Sequence, residues 1–147
     1  VGDFINKINN FVLKYEIDKE KIVFEITERE TVKNFSLLEK FVHNLKADGY
    51  KFAIDDFGSG FSSFHYIKKF PIDYVKIDGD FIININKDEK DRAFVNSIVT
   101  LAKELKIHTI AEFVENQEIV EILDELEIDY YQGYHIGKPS DKFISFE

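Results

Sequence analysis

Apolar and polar positions along this chain switch repeatedly between a period of 3.6 and a period of 2. Helices and strands are therefore predicted to alternate from end to end. Phe4, Ile8, Phe11 and Val12 recur at helical spacing, and residues 21–26 (KIVFEI) read as a short apolar strand. Ser36 followed by Glu39 has the form of a capping box. Leu38, Phe41, Val42 and Leu45 make the apolar face of the helix it would start, and Gly49 closes that helix. Residues 50–55 (YKFAID) form the next predicted strand, and a short helix over 62–70 stops at Pro71. A third strand covers 74–78 (YVKID). Asp91 then reads as the cap of a helix with Phe94, Val95, Ile98, Leu101, Ala102 and Leu105 on one face. Residues 108–112 (HTIAE) are a fourth strand. Asn116 caps a helix carrying Ile119, Val120, Leu123 and Leu126, and 128–133 (IDYYQG) is a fifth strand. The tail carries no clear element.

Strands separated by helices pair in parallel, so the class is α/β. Two architectures suit the order: a free-standing doubly wound sheet, or part of a (β/α)8 barrel, which typically needs about 250 residues. Length alone favours the first. The polar residues favour the second. Side chains alternate between the two faces of a strand, so Ala53 shares a face with Asp55, Lys76 with Asp78, Ile110 with Glu112, and Tyr130 with Gln132; Glu25 lies near the end of its own strand. Each strand thus carries a polar or charged residue near its C-terminal end. Unpartnered buried charge costs several kcal/mol, of order 2–7 even for neutral polar groups, and convergence at the C-terminal mouth of a parallel barrel explains all five together.

Composition narrows the picture. The 147 residues carry a formal net charge of −9, with 44% hydrophobic and 32% charged residues, as befits one globular domain. Without cysteine there is neither a disulfide framework nor a thiolate metal site. No run approaches the roughly 20 apolar residues of a membrane helix, and no signal-peptide pattern opens the chain; a cytoplasmic location is expected. A chain without Met carries no initiator and reads as a segment of a longer protein. The acidic balance argues against a DNA-binding surface. A small phosphate-bearing ligand remains compatible, because metal ions held by carboxylates can bind it.

The strongest local signal is IDDFGSGFSSF, residues 54–64, where two adjacent carboxylates leave a strand into a glycine-rich loop. Asp55 and Asp56 can bridge or flank two divalent cations, and Gly58 and Gly60 permit close backbone approach. The plainer reading is a polar turn in which Asp56 caps a helix. EITE (25–28) offers Glu25 as a metal ligand and Glu28 as a brace for a neighbouring loop, or simply a capping acid. Lys76, inside an apolar strand, either snorkels to water or sits in a cavity, polarising water or meeting a phosphate oxygen. Glu112 and Glu115 suit metal ligation or general-base work, or else are solvated acids. Gln132 could read a polar ligand edge. His43, His65, His108 and His135 lack metal-site spacing, and the run Asn84, Asn86, Asp88 lacks the glycine and glutamate of a calcium loop.

In order, EITE, IDDFGSGFSSF, YVKIDGDFI, AEFVEN and YYQGYHIGKP resemble the EAL domain family of bacterial signalling proteins, from about Lys21 to Pro139. The resemblance implies parallel β/α units forming about five-eighths of a modified TIM-type barrel, and hydrolysis of cyclic di-GMP to linear pGpG with Mg2+ or Mn2+. It implies Glu25, Asp55, Asp56 and Glu112 as metal ligands. It gives Lys76 the attacking water, and Glu112 and Glu115 roles in activating or positioning it. Glu28, Gly58, Ser59 and Gly60 belong to loops that support the site, and Gln132 matches the family's late glutamine.

Several features depart from the family pattern. The Glu-Ala-Leu motif and an asparagine ligand, both placed upstream of Val1, are absent. Phe113 stands where the AEGVE pattern has glycine. The isolated chain is therefore expected to be a poor catalyst, and to associate with a second copy or with the remainder of its own domain; fused sensory or signalling domains would be further partners. The alternative is a receptor that binds cyclic di-GMP without cleaving it. A phosphoacceptor receiver is a poor match, because its lysine belongs on the last strand and Lys76 is on the third.

Overall fold

A computed structural model describes residues 2–27, 35–59 and 67–142. The chain has two compact units, Val1–Lys76 and Ile77–Glu147. Residues 62–66 of the helix expected over 62–70, Glu28 and Gly60 lie outside the described residues, and 67–69 are helical.

The first unit opens with α1 (Gly2–Lys14) and a turn of 3-10 helix at Lys19–Lys21, capped by Asp18. That turn takes up Lys21, so the first strand, β1, runs over Val23–Thr27 rather than from Lys21. Helix α2 spans Phe35–Ala47, which puts Ser36 inside the helix and not before it as a cap. Its C-terminus follows the sequence reading. Gly49 takes φ +97° while the Tyr50 and Gly49 N–H groups bond to Leu45 and Lys46 carbonyls. β2 (Lys51–Phe57) pairs in parallel with β1, Glu25 opposite Ala53 and Thr27 opposite Asp55. β3 (Tyr74–Ile77) follows β2 in the sheet, and this unit ends within it, at Lys76. Val42, Leu45, Tyr50, Phe52, Ile54 and Phe57 are buried, and Phe24 packs on the rings of Tyr50 and Phe52. Large aromatics give this core an area that stabilises it by roughly 25 cal/mol per Å2.

The second unit contains α3 (Glu89–Glu104), β4 (His108–Ala111), α4 (Gln117–Glu125) and β5 (Tyr130–Tyr131). Asp88, not Asp91, caps α3: its backbone is extended and its carboxylate accepts the Lys90 N–H at 2.8 Å. Asp91 falls in the first helical turn, where burial and the nearby Asp88 push its carboxyl upward. Asn116 caps α4 as read, accepting the Ile119 N–H at 3.0 Å. β4 and β5 pair in parallel, Ile110 opposite Tyr130. The fifth strand is far shorter than the sequence suggests: at one end the Asp129 N–H goes to the Thr109 hydroxyl, and at the other the regular ladder breaks where Val114, not Phe113, bonds to the Gln132 carbonyl. Among the described residues no helix is long and apolar enough to cross a membrane.

Candidate active site

The first unit builds an acid–lysine cluster at the ends of parallel strands. Lys76 on β3 is 5% exposed. Its ammonium donates to Glu25 Oε2 on β1 at 3.1 Å and lies 3.0 Å from Asp55 Oδ1 on β2. Parity explains the meeting: these three side chains leave neighbouring strands on one face. The approach to Asp55 Oδ1 is an ion pair without hydrogen-bond geometry, and among the described residues that buried oxygen has no hydrogen-bond donor. Burying a lysine is tolerable only because acids surround it.

Asp56 is exposed and adopts φ +54°, a left-handed conformation in which aspartate is among the better-tolerated residues. The turn swings its carboxylate round so that an oxygen comes within 4.8 Å of one on Asp55. Gly58 (φ +105°) and Ser59 follow; the Ser59 N–H and hydroxyl both bond to the Asp56 carbonyl, at 3.2 and 2.9 Å. Glu25, Asp55 and Asp56 thus set three carboxylates against one ammonium. That concentration of carboxylates among the described residues fits hard divalent cations, which take oxygen ligands.

The second unit holds Glu112, Glu115 and Gln132 around a cavity of about 300 Å3, together with Phe113, Gly133 and Tyr134. Its geometry comes from one inserted residue. The Gln132 N–H donates to the Ala111 carbonyl at 2.8 Å, and the Val114 N–H donates to the Gln132 carbonyl at 3.0 Å. An uninterrupted parallel ladder would take that second bond from residue 113. Phe113 is therefore the extra residue of a β-bulge, with φ +54°. Glycine would hold that conformation without strain, whereas a bulky residue there costs roughly 1–3 kcal/mol. Glu112, just before the bulge, is nine-tenths buried, and the Phe113 ring remains 54% exposed.

Two glycines make room for the bulge. A Cβ on Gly133 would stand 2.2 Å from the Val114 backbone, and one on Gly79 would stand 2.0 Å from the Phe113 ring. Sequence reading saw neither contact, nor the two aspartates that clamp these strands. Asp73 accepts the Phe52 N–H at 2.8 Å and the Lys46 ammonium at 2.7 and 2.8 Å. Asp129 accepts the Thr109 N–H at 2.7 Å and its hydroxyl at 3.0 Å. Burial acts to raise the Asp129 carboxyl, but the Thr109 bonds and His108 outweigh it and hold the group below the ordinary carboxylate range. The repeated tripeptide Ile-Asp-Tyr, at 72–74 and 128–130, was the available signal. Tyr131 donates to Asp124, and burial with that acid pushes its hydroxyl up to about 12.

Comparison with known proteins identifies the family. The EAL domain family matches residues 2–139. The cyclic di-GMP phosphodiesterase PdeB of Shewanella oneidensis is 45% identical over 85% of the chain, and the chain spans 15% of that protein's length. Among solved structures, the EAL enzyme Bd1971 in its cAMP- and cyclic-di-GMP-bound form matches 96% of the chain, with TM-score 0.91 and 35% identity. The chain covers 37% of it. The manganese/cyclic-di-GMP complex of BlrP1 from Klebsiella pneumoniae matches 90% of the chain, with TM-score 0.85 and 30% identity, and the chain covers 34% of it. Parallel β/α units, the motif order and these likenesses agree: the chain belongs to the EAL domain family.

Proposed function

We propose that this chain is one part of a single EAL domain that hydrolyses cyclic di-GMP to linear pGpG with Mg2+ or Mn2+. The observation that carries the reading is the buried Lys76 ion-paired with Glu25 and with Asp55 Oδ1, an oxygen that has no hydrogen-bond donor among the described residues. Relatives named as cyclic di-GMP phosphodiesterases, and a neighbour solved with manganese and cyclic di-GMP, support the substrate and the need for a metal.

In this reading Glu25, Asp55, Asp56 and Glu112 hold the metal. Bound divalent cations supply Lewis acidity and lower the pKa of water, as in other metal-dependent phosphoryl hydrolases. The chain's own residues do the rest. Lys76, fixed by two carboxylates, presents N–H donors to the attacking water and orients it in line with phosphorus. Glu112 or Glu115 receives the proton that the water loses; as the water oxygen bonds to phosphorus, one ester bond of the ring breaks, and its oxygen leaves and takes up a proton to become the free hydroxyl end of the linear product. Glu28 and residues Gly58 to Gly60 support the loops around the acids, and Gln132 meets a polar edge of the substrate.

Hydrolysis of cyclic di-GMP by the full-length protein tests this. Lys76→Met should lower kcat by roughly 100-fold or more, the scale seen when one positioned donor is lost, and pGpG should be the wild-type product. A Lys76→Met variant that turns over at the wild-type rate overturns the assignment. A wild-type protein that binds cyclic di-GMP but never cleaves it favours the receptor alternative.

A further inference from the structure

The bulge at Phe113 is strained, exposed and tightly seated, and those three features together need a reason. Glycine would remove the strain at φ +54°. Exposure of 54% removes any large gain from burying the ring. Yet the chain makes a slot for the ring: Gly79, itself buried, has no room for a Cβ because the Phe113 ring occupies that space, 2.0 Å from where the Cβ would be. One edge of the ring lies against Gly79, and the residue is 54% exposed. It lines the same cavity as Glu112, Glu115 and Gln132, and Tyr134, 65% exposed, adds a second aromatic ring to that lining.

We propose that Phe113 is a base-stacking residue that raises affinity for a guanine-bearing phosphodiester at this pocket. The inference rests on the phosphodiesterase reading above and adds a recognition residue to it. A pinned, half-exposed ring beside polar groups offers a purine a π-face at little entropic cost, because the ring has little freedom left to lose. Gln132 lies on the same lining, where an amide can meet the hydrogen-bonding edge of a base. The bulge re-aims the side chain at this position, a recurrent use of bulges beside functional sites. Phe113 acts on binding and takes no part in the bond-breaking step.

The full-length protein should be assayed with cyclic di-GMP and with bis(4-nitrophenyl) phosphate, a diester that has no purine. Phe113→Gly should raise KM for cyclic di-GMP by about 5–100-fold, the range that base–aromatic stacking represents. It should leave KM for the base-free diester within about twofold, and Phe113→Trp should retain the wild-type value for cyclic di-GMP. Thermal melting should show Phe113→Gly folded and no less stable, since backbone strain is relieved. Unchanged KM for cyclic di-GMP, or an equal rise for both substrates, overturns the stacking role while leaving the phosphodiesterase reading intact. A wild-type protein that neither binds nor hydrolyses cyclic di-GMP overturns both.

Discussion

The two units solve one local problem twice. In the first, Asp55 near the end of β2 is followed by a left-handed Asp56 within the strand; in the second, β4 is followed by Glu112 and a left-handed Phe113, both left-handed residues at φ +54°. In the first, Asp73 before β3 grips the N–H of Phe52; in the second, Asp129 before β5 grips the N–H of Thr109. Each clamped N–H belongs to the second residue of its strand. The difference lies in what the left-handed residue carries. Aspartate tolerates that conformation and delivers a carboxylate beside Asp55. Phenylalanine tolerates it poorly and delivers an exposed ring. One backbone device thus serves charge in one unit and aromatic surface in the other.

If the clamps are equivalent, removing them should hurt in proportion to what each satisfies. Asp73→Ala strands both the Phe52 N–H and the Lys46 ammonium, and should cost about 1–3 kcal/mol, near the top of the range for buried partners. Asp129→Ala strands the Thr109 N–H and hydroxyl beside a more exposed acid and should cost less. Urea unfolding of the full-length variants measures both. A larger loss for Asp129→Ala would break the ranking.

The aromatic side of the comparison is sharpened at Gly79. Gly79→Ala forces the Phe113 ring to move and should cost roughly 1–3 kcal/mol by overpacking. In a Phe113→Gly background most of that cost should disappear, so a double-mutant cycle should show coupling above about 0.5 kcal/mol. Additive costs would mean that the Gly79 contact does not constrain the ring.

The smallest effect separates the clamps by pH. The folded Asp129 carboxyl is held below its ordinary value of about 4. Its contribution is therefore complete above that value and is lost as pH falls through the lower, folded value. Asp129→Asn should flatten the fall in melting temperature below about pH 4, whereas an unchanged acid slope would remove Asp129 from the account.

Much of this was legible in the sequence. Periodicity located the strands because their apolar residues are contiguous, and it put Glu25, Asp55 and Lys76 near strand C-terminal ends, where convergence was expected. Gly49 and Asn116 were legible as helix ends because cap chemistry is local. Ser36 and Asp91 misled because several capping residues lie close together, and the chain used others or started earlier. The bulge was hidden for a different reason. A one-residue insertion leaves no periodic trace in a four-residue strand, and only the glycine that Phe113 replaces in the family pattern pointed to it. The clamps were hidden because they join residues about 20 apart in sequence, Phe52 with Asp73 and Thr109 with Asp129.

The central claim is that the carboxylates beside Lys76 form a divalent-cation site. Equilibrium dialysis of Mn2+ against the full-length protein and its Asp55→Asn variant tests it most directly. Asp55→Asn keeps the shape of the side chain and removes its charge. The account predicts saturable Mn2+ binding by the wild-type protein, weakened in the variant by at least the roughly 10–100-fold that loss of even an outer-shell partner costs, with melting showing the variant still folded. Equal Mn2+ affinity in the two folded proteins would contradict it.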